Sequence, residues 1–282
     1  MQDWIFDVLQ AALEGRYALL QAVGHGAMAT VYRAHDLRHD REVAIKALRL
    51  TTPDAAASER FLREIRFLAR LQHPNILPLF DSGEAQGIPY FVTAFVEGMS
   101  LRDALREAEG NRLPAALVVR FVRETADALD FAHRRNVLHR DIKPENILLH
   151  ADHAIVADFG IARAIRMADE SSLTDTGVAI GTPAYMSPEQ LSADRQLDAR
   201  SDTYALACVA YEALAGAPPF LGPRRVVDNV LKFTHPPRSL RHYVEELPER
   251  LDHVLGKALA ADPEQRYEKA GDFAEALQRE MR

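Results

Sequence analysis

HRDIKPEN, residues 139–146, places a carboxylate (Asp141), a lysine (Lys143) and an amide (Asn146) within six positions, and DFG at 158–160 adds Asp158 twelve residues beyond its end. Any one of these residues is common at a protein surface. Their joint order and spacing decides how the rest of the chain is read.

Outward toward the C-terminus the pattern is mainly helical. ALVVRFVRETADALDFAHRR predicts a helix just ahead of the stretch, and SDTYALACVAYEALAG predicts one buried on most sides. Further helices are expected over 225–232, 247–260 and 269–281, with Pro218-Pro219, Pro223, Pro236-Pro237 and Pro248 at the joins. Toward the N-terminus the period changes. RYALLQAV, TVYRAHDL and EVAIKAL read as strands interrupted by Gly24 and Gly26, and ILPLFDSG and IPYFVTAF as two more. Between them, residues 55–71 form a helix with Phe61, Ile65, Leu68 and Leu71 on its apolar face, ended by His73-Pro74. A boundary between the β-rich and helical parts falls at 94–98. Residues 1–14 carry Trp4, Ile5, Val8, Leu9 and Ala12 at helical spacing, a short amphipathic helix expected to dock on the domain, with contact to a partner as the alternative.

Bulk composition narrows the function classes. The 282 residues hold 34 Lys plus Arg against 41 Asp plus Glu, a formal charge of -7, which excludes the general basic surface of a nucleic-acid binder. One cysteine, Cys208, excludes an internal disulfide and sits in an apolar run that predicts a buried, inert thiol. No apolar run is long enough to span a membrane and no signal peptide is visible, so a cytoplasmic domain is the plain expectation, though a longer parent chain could carry a membrane anchor.

Four side chains around the opening stretch describe a positioning and electrostatic site for phosphoryl transfer. Asp141 would orient an attacking hydroxyl and take its proton. Lys143 would reach the migrating oxygens. Asn146 and Asp158 would bind a divalent metal, magnesium or in its place manganese, whose other ligands come from phosphate and water. Upstream, the glycines of Gly24-His25-Gly26 let a backbone turn approach a phosphate chain, a weak signal alone, and Val31 beyond them could pack on a flat base. VAIK at 43–46 puts Ala44 and Lys46 on one strand face. Such a lysine needs a carboxylate to fix it. The following helix offers Glu59 and Glu64, of which Glu64 lies beside the apolar face and is preferred once the other motifs are counted.

With GHGAMATV at 24–31, VAIK, HRDIKPEN, DFG, SPE at 187–189, SDTYALA at 201–207 and DPEQRY at 262–267 in this order, the chain resembles the eukaryotic-type protein kinases in their bacterial serine/threonine form. The resemblance covers about residues 17–280. It implies a bilobal α+β fold: a helical extension at 1–14, a small β-rich lobe at 15–96 with one long helix, and a larger helical lobe at 97–282. It implies ATP and magnesium as cofactors. Lys46 would grip the α/β-phosphates and pair with Glu64, and Asp141 would be the catalytic aspartate. Val31, Ala44 and Leu148 would sandwich adenine, Thr93 would guard the back of the pocket, and backbone groups of Ala94 and Val96 would bond the base edge. Leu68, Leu79, His139 and Phe159 would stack as an internal column anchored by Asp202. Glu189 and Arg266 would form a buried ion pair.

Lys143 and Thr182 match the serine/threonine class. Arg140 would bind a phosphorylated activation segment, in which Thr174 and Thr176 are the expected autophosphorylation sites, with Ser171 and Ser172 nearby. Two departures are mild: Ala29 stands where the family has a third glycine, and Ala94 where an acid is common. Expected partners are protein substrates and a second copy in a transient homodimer for trans-autophosphorylation, without nucleic acid and without membrane contact by this segment. The alternative is a pseudokinase, an ATP-binding switch module with little transfer.

Overall fold

A computed structural model describes residues 4–26, 29–48, 55–151, 153–160, 183–194, 196–220 and 225–282. These divide into two compact units, one from residues 4–72 and 77–97, the other from 73–76, 98–160 and 183–282. The first is β-rich and the second mainly helical, the α+β class the sequence predicts.

In the first unit β1 (Tyr17–His25), β2 (Ala29–Asp36), β3 (Arg41–Leu48), β4 (Leu79–Ala85) and β5 (Ile88–Ala94) form an antiparallel sheet in the order β1-β2-β3-β5-β4. Side chains alternate across it, so Tyr32, Ala34, Val43, Ile45, Ala47, Tyr90 and Val92 share one apolar face. That face is covered by α1 (Trp4–Ala12) through Ile5 and Leu9, with Leu13 one turn on. Each such side chain contributes about 1.5–3 kcal/mol of apolar burial. Phe6 sets its ring edge-on to Tyr32, and Gln10 Oε1 accepts the Leu19 N–H at 2.9 Å, beside a register shift in β1. Trp4, expected on the apolar face, is instead 63 % exposed. The stripe in contact runs i, i+4, i+8 through Ile5, and Trp4 lies about 100° around the helix from it.

The opposite face of the sheet meets α2 (Ala55–Leu68), where the Phe61 ring stands 6.3 Å from Phe91. This helix closes three residues before the predicted end, in a turn where the Leu71 N–H bonds Leu68 O, yet Leu71 is buried as expected.

The second unit is built on α4 (Ala115–His133) and α6 (Ala199–Ala215), with α8 (Arg250–Ala258) and α9 (Ala270–Glu280) packed around them. Every residue of α6 from Ser201 to Ala215 is buried, which accounts for its lack of a polar face. Asp198 caps its start, and Gly216 ends it in the left-handed conformation (φ 79°), where a Cβ would strike the Gly110 carbonyl. Further helices of the unit are α3 (Leu101–Glu107), capped by Ser100; α5 (Pro188–Leu191); and α7 (Arg225–Thr234).

A three-stranded sheet of β6 (Met99–Ser100), β7 (Ile147–His150) and β8 (His153–Val156) was not expected from the sequence. Its hairpin pairs Ile147 with Val156, and just beyond that pair the Ala157 N–H bonds Asn146 O at 2.9 Å. The hairpin is why a twelve-residue separation brings Asn146 and Asp158 to the same place.

Candidate active site

The loop from His139 to Asn146 is held chiefly from below. Asp202, on the first turn of α6 and 1 % exposed, accepts the backbone N–H of His139 through Oδ2 and of Arg140 through Oδ1, both at 2.8 Å. Its Oδ2 also meets His133 Nε2 at 2.7 Å. Burial alone pushes this carboxyl up. The His133 hydrogen bond, the charges of His133 and His139, and the Arg140 N–H together outweigh burial and hold it below the ordinary carboxylate range. The anchoring matters because Arg140 has φ 70°, a conformation costing a non-glycine residue about 1–2 kcal/mol. On its other side, Gln190 Nε2 donates to Arg140 O at 2.9 Å.

On that frame Asp141 is set among its neighbours. Its N–H bonds His139 Nδ1 at 3.3 Å, and the Lys143 ammonium meets Oδ2 at 2.6 Å. Asn146 Nδ2 donates to Asp141 O at 2.8 Å and to Oδ2 at 3.2 Å. With its amide nitrogen spent on Asp141, Asn146 has its amide oxygen for a cation. His139 Nε2 bonds Ala157 O at 2.8 Å and its ring stands 4.6 Å from Phe159, so the loop and the DFG turn are joined side by side. Asp158 (φ 63°) sits between them, half-buried. Leu148 lies on β7, half-buried and paired with Ile155.

Glu189 and Arg266 meet through two bonds, of 2.7 and 2.8 Å. Arg266 also donates to the carbonyls of Ala260, Ala261 and Arg200, and Glu189 accepts from Ser201 Oγ at 2.6 Å. Burial raises the Glu189 carboxyl, but the bonds from Arg266 and Ser201 outweigh it and the net direction is down.

In the first unit, the strand register gathers the other set on one face. Val31 is paired with both Gly24 and Lys46, Ala44 with Thr93, and Lys46 with Phe91. Directly paired residues point the same way, so Gly24, Val31, Ala44, Lys46 and Thr93 lie on the face opposite α1. The Lys46 ammonium stands 6.0 Å from the Phe91 ring centroid. Glu64 is half-buried on α2, one turn from the Phe61 ring that meets Phe91, whereas Glu59 is exposed. The Gly26 N–H bonds Ala29 O at 2.8 Å, and a Cβ added at Gly24 would meet, among the described residues, only Val31, at 3.8 Å. The Ala94 N–H is taken by Pro78 O at 3.2 Å, so a bond from Ala94 to a base edge must use its carbonyl. Val96 follows in the half-buried segment before Gly98. Leu68 and Leu79 belong to this unit, His139 and Phe159 to the other. Thr174, Thr176 and Thr182, with Ser171 and Ser172, lie outside the described residues.

The family pattern described as the protein kinase domain matches residues 17–280. The chain belongs to the protein kinase family. This kinase is 42 % identical over 269 residues to the serine/threonine-protein kinase PknB of Mycobacterium leprae, covering 93 % of the present chain and 42 % of that protein. It is 43 % identical over 276 residues to PknB of Mycobacterium tuberculosis, covering 95 % and 43 %. The chain thus spans about two fifths of the length of these curated relatives. Among solved structures, the PknI kinase domain of Mycobacterium tuberculosis superposes with a TM-score of 0.71 at 32 % identity, covering 94 % of this chain and 96 % of that one, and a double mutant of it reaches 0.75.

Several residues in the kinase network carried too little sequence signal to be found. Gln190 completes a capping box with Ser187, a spacing readable in SPEQ, but its bond to Arg140 is not. Arg102 on α3 joins Glu145, Glu212 and Tyr185, which lie far apart in the sequence. Nor does a lone His133 announce its bond to Asp202.

Proposed function

We propose that this kinase domain transfers the γ-phosphoryl group of ATP to serine and threonine hydroxyls of proteins, its own Thr174 and Thr176 among them. The observation that carries the reading is the Asp141 carboxylate, held by Lys143 at 2.6 Å and Asn146 at 3.2 Å on a loop whose backbone is pinned by buried Asp202.

An acceptor hydroxyl reaching Asp141 would be oriented by the carboxylate and give up its proton late in transfer. Lys143 is close enough to Asp141 to offset the charge of that carboxylate before substrate arrives, and its flexible stem lets it turn toward the migrating oxygens. Among the described residues no group of three or more His, Cys, Asp and Glu is arranged to hold a metal. The donor set fits magnesium that takes Asn146 Oδ1 and Asp158 from the protein and the rest from phosphate and water. Magnesium, when bound, neutralises charge building on the phosphate oxygens.

On the sheet face, a Cβ at Gly24 would meet only Val31 among the described residues, and close approach of a phosphate chain would account for the glycine there. Lys46 on that face would hold phosphate with Glu64 as its carboxylate, while Val31, Ala44 and Leu148 would contact the base, Thr93 the space behind it, and Ala94 and Val96 its edge. Lys143 and Thr182 support serine and threonine as acceptors. A second copy would meet the first transiently to phosphorylate it. The cytoplasm supplies the ATP such an activity needs.

The test is transfer to a generic acceptor protein. Phosphatase-treated wild type with Mg-ATP should label serine and threonine, and Asp141→Asn should lower the rate by about 10²–10⁴ while still binding ATP. Wild type that binds ATP but labels neither the acceptor nor itself would favour the switch-module alternative.

A further inference from the structure

We propose that Lys232 is a positioning residue for the acceptor side of the site, fixing the segment 183–187 and through it the backbone that carries Asp141. The proposal rests on the phosphoryl-transfer reading above.

On α7 the apolar Val230 (55 %) and Phe233 (47 %) are exposed, yet Lys232 between them is only 1 % exposed. Lysines are almost never buried unless paired. Here the ammonium donates to Pro183 O at 2.7 Å, Ala184 O at 2.9 Å and Met186 O at 2.7 Å. An ammonium has three N–H groups, and among the described residues three acceptors from one four-residue stretch face it. The segment is therefore wrapped around this cation. The Tyr204 ring, 5.7 Å away, adds a cation–π contact, and the same ring lies 4.8 Å from the Arg266 guanidinium.

What this segment touches points to the acceptor side. Ser187, its last residue, caps α5, and Gln190 in that cap donates to the carbonyl of Arg140, the residue before Asp141. Within the segment, the Tyr185 hydroxyl bonds Glu212 and Arg102, and Arg102 reaches Glu145 in the catalytic stretch at 2.9 Å. Lys232 thus holds the backbone of a segment that is linked to the Asp141 loop at two points, through Gln190 and through Arg102. None of these contacts involves the sheet face carrying Lys46, Ala44 and Thr93. Loss of Lys232 should therefore disturb acceptor placement and leave the nucleotide side intact.

Lys232→Met, of similar length but without donors, and Lys232→Arg, which keeps a charged donor, separate the possibilities in steady-state kinetics with Mg-ATP and a generic acceptor protein. The expected result is an acceptor KM raised by about tenfold or more in Lys232→Met, an unchanged KM for ATP, and partial recovery in Lys232→Arg. A merely structural role would lower kcat in proportion to the folded fraction and leave both KM values alone, which would overturn the proposal. A parallel rise in the KM for ATP would overturn it too. Should Lys232→Met not fold, Lys232→Gln is read in its place by the same criteria. If wild type itself transfers no phosphate, the transferase reading has failed, and hydrogen exchange over 183–191 then decides the anchoring. Faster exchange in Lys232→Gln supports it and unchanged exchange refutes it.

Discussion

Asp202 has no chemical step to perform, but it determines whether Asp141 is in place to perform one. Its two oxygens satisfy the consecutive backbone N–H groups of His139 and Arg140, and Arg140 is held at positive φ. Asp202→Asn keeps the shape and puts an N–H where one of those bonds was accepted. We expect it to lower kcat by at least about tenfold and destabilise the fold by roughly 1.5–3 kcal/mol, in keeping with losing a hydrogen bond to a buried charged group; rate assays and denaturant titration check both. Acid should act on the same group. Asp202 and Glu189 titrate in the folded chain below their ordinary values of 3.8 and 4.5, so their stabilisation is fully present above those values. As pH falls the unfolded chain takes up protons first, and the contribution is lost down to the folded titration points. Thermal melts should therefore drop below about pH 4.5, and Glu189→Gln should flatten part of that drop. Cys208 gives a third check. Burial pushes its thiol up to about 12, so a thiol-alkylating reagent should label it only on unfolding.

At the scale of elements, α1 lies outside the residues the family pattern covers yet fills the sheet face away from Lys46. Leu9→Ala should cost about 2–5 kcal/mol by leaving a cavity under the sheet, measurable by urea unfolding, while the KM for ATP changes little in the folded fraction. What the sequence revealed follows from how local each signal is. Strand alternation in VAIK and the 3.6-residue period around Phe61, Ile65 and Leu68 are contained in one segment, so those elements and their buried faces were legible. The β7–β8 hairpin was not, because its strands have four residues each and their pairing depends on a turn too short to announce itself. Lys232 was illegible for the opposite reason. Its partners among the described residues are carbonyls 46 to 49 residues away, and carbonyls carry no sequence signature. Motif residues such as Glu189 and Arg266 were readable because the family resemblance supplied a pairing that 77 residues of separation conceal.

At the scale of the whole molecule, the proposed reaction depends on two sets of residues, those on the sheet face with Lys46 and those around Asp141. Removing either should stop the reaction, so Lys46→Met and Asp158→Asn should each abolish transfer while the unaltered unit keeps its fold. The central claim is that this chain is an active, self-modifying transferase. It is tested most directly by intact mass of phosphatase-treated protein after incubation with Mg-ATP, beside Asp158→Asn, followed by fragment masses. Discrete phosphate additions are expected in the wild type alone, mapping to Thr174 and Thr176. No addition in wild type that binds ATP, or equal addition in Asp158→Asn, would contradict it.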